Sequence, residues 1–175
     1  TGGVSNNWLI CLADSRVDFT RQKLVGPGKI LMLELNTAPS DGKVLPAGTF
    51  NVLNPMEITA AASLTPFTVV PGLSAEDGSI YGTWYLATDT QGGDFQPLCA
   101  AQKGTVSVKK TGDTYTIDFD ITDDDFKISV KGSYTGKPYI HDGPADTTSV
   151  STRTTAASGK ALNIHKSARR QAFRK

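Results

Sequence analysis

Residues 104–134, GTVSVKKTGDTYTIDFDITDDDFKISVKGSY, decide the fold. Val106 and Val108 alternate with Ser107 and Lys109. Tyr115, Ile117, Phe119 and Ile121 alternate with Thr116, Asp118 and Asp120. Phe126, Ile128 and Val130 alternate with Lys127, Ser129 and Lys131. Neighbouring side chains on a strand point to opposite faces, so each run has one face to bury and one to wet. Thr111-Gly112-Asp113 and Thr122-Asp123-Asp124-Asp125 supply the turns, because Gly takes positive φ cheaply and Asp bonds its own backbone. The stretch predicts three consecutive antiparallel strands. Lys109 and Lys131 flank Asp118 and Asp120 on the wet face, and such cross-strand pairs contribute roughly 0.2–1 kcal/mol each.

Upstream, Asn7–Ala13 (NWLICLA) is apolar on both faces, as in a strand covered on both sides. Asp14–Val25 offers Val17, Phe19 and Leu24 to an edge strand or a long hairpin loop. Gly26-Pro27-Gly28 predicts a turn. In Lys29–Asn36, Leu31, Leu33 and Leu35 share one face, and Ile30, Met32 and Glu34 the other. Short strands are expected at Thr49–Leu53, with Phe50 and Val52 together, and at Phe67–Val70. Glu57–Leu64 is the candidate for a helical turn. Ser79–Thr88 predicts one aromatic-rich strand, Asp89–Lys103 a turn-rich excursion, and Tyr139-Ile140-His141 a closing strand.

The sum is about eight strands and almost no helix, the pattern of an all-β chain. The expected architecture is an antiparallel up-and-down barrel or a strongly curled sandwich, since closure removes exposed edges. No helical repeat separates the strands, which argues against parallel βαβ units.

The chain has 175 residues and a net charge of +1. Residues 146–175 hold seven Lys or Arg and one acid, +6, leaving 11 bases and 16 acids, −5, in residues 1–145. The expected division is therefore a β domain over 1–144 and a basic tail over 145–175. That tail reads as linker, edge strand, short helix or disorder, and its charge suits an anionic partner. No run approaches the ~20 apolar residues that span a bilayer, and the first residues do not resemble a signal peptide. The cysteines, Cys11 and Cys99, are too few for a disulfide framework, although a single bridge between them stays open.

Several phrases occur together in a fixed order: NNWLICLAD, GKILMLELN, LPAGTF, YGTWY, GTVSVKKTGDTYTIDFDITDD and GSYTGKP. Over Asn6–Asp142 this series resembles a repeated all-β domain of uncharacterised surface or secreted lipoproteins of Bacteroidota. The resemblance implies a cell-envelope or extracellular address, possible anchoring by lipid through an upstream segment, and a non-catalytic module. It supplies no catalytic residue.

The residues themselves offer little chemistry. His141 and His165 are the imidazoles, and no nucleophile motif accompanies them. Asp118 and Asp120 share a face and look solvated, whereas a glycosidase needs two carboxyls about 5–10 Å apart across a cleft. Asp123, Asp124 and Asp125 crowd one turn, where Ca²⁺ could gather oxygens, but the glycine and distal Glu of an EF-hand loop are missing. No other cofactor is expected. Tyr81, Trp84 and Tyr85 lie within one short stretch, and Trp8 near the start. Exposed, they would form a platform for stacking sugar rings; inward, they would fill the core. Nucleic-acid binding would interleave basic residues with those rings, and here the bases gather in the tail. The expected function is a non-catalytic cell-surface or secreted β module for adhesion, scaffolding or glycan binding. A lipocalin-like small-molecule carrier and a glycosidase-like hydrolase are the alternatives.

Overall fold

The computed structural model describes residues 5–14, 16–18, 23–25, 27–40, 43–58, 64–88 and 96–138. These build an all-β, strongly curled half-barrel. The strands are β1 (Asn6–Ala13), β2 (Arg16–Asp18), β3 (Lys23–Val25), β4 (Gly28–Thr37), β5 (Gly48–Val52), β6 (Thr68–Val69), β7 (Leu73–Ser74), β8 (Ile80–Tyr81), β9 (Trp84–Thr88), β10 (Gln96–Ala100), β11 (Lys103–Thr111), β12 (Thr114–Asp123) and β13 (Ile128–Gly136). The main sheet has the order β10-β9-β4-β6-β5-β11-β12-β13, with β1 also pairing β4; β2–β3 and β7–β8 are separate two-stranded ladders.

The meander forms as its alternation requires. Val106 pairs Phe119, Ile117 pairs Tyr134, and Ile121 pairs Val130. Val106, Val108, Tyr115, Ile117 and Ile121 are all buried on the concave side. Gly112, at φ 58°, sits in the two-residue loop between Thr111 and Thr114. The second turn falls later than its Asp run suggested: Asp123 ends β12, and residues 124–127 turn, with Lys127 at φ 57°. Phe126 therefore sits in the turn, half exposed, rather than in β13.

β4 is the spine. It pairs β1 on one side and both β9 and β6 on the other. Leu31, Leu33 and Leu35 face a large core with Trp8, Ile10, Phe50, Val69, Val106 and Ile117. Ile30 and Met32 face a second cluster with Leu9, Cys11, Trp84 and Leu86. Both faces of β1 and β4 are thus apolar because both are buried. Each fully buried aliphatic contributes about 1.5–3 kcal/mol. Polar side chains join the strands at one end. Trp8 Nε1 donates to Thr37 Oγ1 at 3.1 Å, and Asn7 Nδ2 to Asn36 Oδ1 at 3.2 Å. The buried Asn36 in turn donates to Thr68 Oγ1 at 3.0 Å.

The connectivity is not hairpin after hairpin. β5 pairs β11, far along the chain, and its short contact with β6 is parallel. The aromatic stretch 79–88 is two strands rather than one. It breaks at Gly82, φ 78°, where a β-carbon would collide with the Pro71 carbonyl. Thr83 N donates to Val70 O at 3.0 Å, and Glu34 Oε2 accepts from Gly82 N at 3.1 Å, so the break is tied on both sides. The expected excursion 89–103 contains β10, paired to β9 with a register shift between Pro97 and Cys99. A 3-10 turn occupies Pro55–Glu57, and Ile58 after it is extended; of the expected helical turn Glu57–Leu64, Leu64 is not helical and residues 59–63 lie outside the described residues. The expected closing strand at Tyr139-Ile140-His141, His165 and the basic tail also lie outside them.

Candidate functional site

The curl brings β10, at one end of the strand order, against β12 and β13 at the other. Asp123 joins them. The alternation that sends Ile117 and Ile121 inward continues to it, so the residue ends up 3% exposed. Oδ2 accepts from Ala100 N at 3.0 Å, and Oδ1 accepts from both Asp125 N and Phe126 N at 3.0 Å. One carboxylate therefore caps the turn and fastens β10 to it. Beside it, Cys99 Sγ lies 3.7 Å from Ala100 O and 3.9 Å from Ile128 O. Burial, followed by the nearby negative charge of Asp123, pushes the Cys99 thiol up to about 11. Such a thiol stays protonated and is a poor nucleophile at neutral pH. Cys11 and Cys99 are both buried, with no disulfide between them.

The same corner carries a groove. Asn54 ends the loop after β5: its Oδ1 accepts from Met56 N at 3.1 Å, and its Nδ2 donates to Glu57 Oε1 at 3.3 Å. This sets Met56 out into solvent, 87% exposed. Opposite, Gln102 Oε1 accepts from Asp124 N at 2.8 Å, and Gln102 Nε2 donates to Asp125 Oδ2 at 2.7 Å. Lys103 pairs with Asp124. Between the two walls lies an open groove of about 460 Å³, lined by Val52, Pro55 and Met56 on the apolar side and by Asn54, Gln102, Lys103, Asp124 and Asp125 on the polar side.

Asp123, Asp124 and Asp125 are neighbours in sequence, but their carboxylates go to different partners: backbone amides, Lys103 and Gln102. They do not form a shared oxygen cage, and among the described residues no group of three or more His, Cys, Asp or Glu is placed to hold a metal ion. Asp118 and Asp120 stand on the convex face. Asp118 accepts from Ser133 Oγ at 2.6 Å and lies 3.6 Å from Lys109 Nζ; Asp120 pairs Lys131 at 2.8 Å. The Ser133 hydrogen bond, then the Lys109 charge, hold the Asp118 carboxyl below its ordinary value. A glycosidase acid needs the opposite shift.

The aromatic residues are not brought together. Trp8 is fully buried in the large core, and Trp84 is buried in the second cluster, on the other side of the β1–β4–β9 layer, with Nε1 donating to Tyr81 O at 2.8 Å. Tyr85 is half-buried against the large core, with Lys29 Nζ 6.0 Å from its ring centroid. Tyr81 is 52% exposed. The break at Gly82 is what separates Tyr81 from Tyr85. The groove, in contrast, was missed by reading along the sequence. Its walls come from residues about 50 to 70 positions apart, and Asn54-Pro55, a capping pair, was the local signal for one of them. Compared with protein-family models, with curated proteins and with solved structures, the chain finds no match.

Proposed function

We propose that this chain is a non-catalytic β module of the cell surface or the secreted space, working by contact in adhesion, scaffolding or glycan binding, with the corner groove as its contact surface. The observation that carries the reading is the groove's construction: an open apolar lip at Met56 faces amide and carboxylate groups held in place by Gln102. A sugar offers the matching surface, C–H faces for the lip and hydroxyls for the planar polar groups. The envelope address rests on the ordered phrases that resemble the Bacteroidota lipoprotein domain.

Two further features favour contact over turnover. The acids of the meander are engaged by lysines, Ser133, Gln102 or backbone amides, and the Cys99 thiol is held protonated. The space a carrier would use, inside the curl, is filled by Trp8, Leu33, Leu35, Phe50, Val69 and Ile117.

A glycan array on the full chain tests the proposal, repeated with Met56→Ala, Asp125→Ala and Tyr81→Ala. Binding to a defined glycan class, lost in the first two variants and kept in the third, is the expected result. Binding that depends on Tyr81 alone would move the site. Hydrolysis of glycans, esters or peptides that one point mutation abolishes would overturn the non-catalytic reading.

A further inference from the structure

The meander's last strand differs from its two predecessors. Every inward apolar residue named on β11, and all but Phe119 on β12, is buried. On β13, Ile128 is 39% exposed and Val130 and Tyr134 are partly buried, so the core opens at this lip. Among the described residues, β13 is also the end of the strand order. The two-residue loop at Gly112-Asp113 makes Thr111 and Thr114 the closing hydrogen-bonded pair. Counting on from them through alternate residues, the even-numbered residues of β13 bond to β12. The same count sends the amide of Asn51 away from β11, and Asn51 N indeed donates to Phe67 O. The N–H and C=O groups of Ser129, Lys131, Ser133 and Thr135 therefore point along the outer edge, where an added strand could pair.

We propose that this edge docks the same strand of a second copy, antiparallel, about a two-fold axis through Gly132. That register sets Val130 of one copy opposite Tyr134 of the other, twice, as close non-hydrogen-bonded pairs. Gly132 meets Gly132 at the axis; a β-carbon at either would strike the Phe119 ring lying over it. Lys131 of one copy faces Ser133 of the other, which is itself bonded to Asp118, so a cation comes beside an anion on each side. A shift of one residue toward the N-terminus would oppose the two Lys131 side chains. A shift the other way would set Val130 against Gly136. The Gly132 register alone keeps like charges from standing directly opposite and sets both apolar lips against each other. This goes beyond the glycan reading and stands or falls apart from it.

The test is sedimentation equilibrium on the full chain, from about 5 µM to a few hundred µM, where contacts smaller than a standard stable interface associate. The expected result is a rise toward twice the monomer mass, with amide exchange at Lys131 and Ser133 slowed at least tenfold at the high end. Ser133→Pro, which removes an outward N–H while sparing the ladder to β12, should stay monomeric with an unchanged far-UV spectrum. If that variant misfolds, Thr135→Pro and the wild-type exchange pattern decide. A chain that stays monomeric throughout overturns the proposal. So does association that leaves the Ser133 amide exchanging freely, or a Ser133 amide protected equally at every concentration, which would mean another occupant.

Discussion

β4 and β13 are built from strands of similar length, yet they live in different surroundings. β4 is apolar on both faces, its leucines in one core and Ile30 and Met32 in another. β13 alternates, one face wet and the other half-open. The first kind of strand ties two layers together and reads as an uninterrupted apolar run. The second closes a sheet and reads as strict alternation. The difference teaches that this molecule concentrates its stability around β1, β4 and β9, and its surface chemistry around β11, β12 and β13.

Four measurements break or sharpen that contrast. Trp8→Ala should cost about 3–5 kcal/mol, read from guanidinium unfolding, because it empties a fully buried site and strips Thr37 of its donor. A loss below about 1 kcal/mol would dissolve the claim that stability sits in the two-faced layer. Next, alkylation of Cys99 at pH 7.5 should run on the order of 100-fold slower than for an ordinary thiol, from the thiolate fraction alone. The folded thiol holds its proton to about 11 against an ordinary 9.0, so folding is favoured below pH 9 and this contribution is lost as pH climbs from 9 to 11. Rapid labelling of the folded chain would show the corner to be open. Third, Asp123→Ala should cost about 1–3 kcal/mol, since it deprives the Ala100, Asp125 and Phe126 amides of their acceptor. Thermal unfolding reads it, and a neutral result would detach β10 from the meander's energetics. Last, Lys131→Ala should leave the unfolding midpoint nearly unchanged, because its bridge to Asp120 is well exposed. A loss as large as that of Trp8→Ala would reverse the comparison.

Much of this contrast was legible in the residues. The leucines of β4, the meander and the strand at Phe50 and Val52 follow directly from periodicity, and the lysine–aspartate pairs formed where the wet face set them. The burial of Asp123 is legible too. It stands at the next inward position after Ile121, but the aspartates beside it make the run look like open turn. The break at Gly82 was harder to see. A glycine within an aromatic strand signals an irregularity but not its direction, and the obstacle is the Pro71 carbonyl, eleven residues earlier. β10 was hidden by Pro97, which fits there because the ladder slips just after it. The groove's two walls meet only through the curl.

The pairing of β5 with β11 has a kinetic side. Phe50 finds Val106 across more than fifty residues, and β4 must wait for partners on both sides of its own position in the chain. The β11–β12–β13 hairpins need only short loops, so they should assemble first, within microseconds. The distant pairings then set the pace, in the millisecond-to-second range of proteins dominated by non-local contacts. During that interval the leucine-rich strands are the exposed ones, and a refolding experiment at high concentration should lose material to aggregation through them.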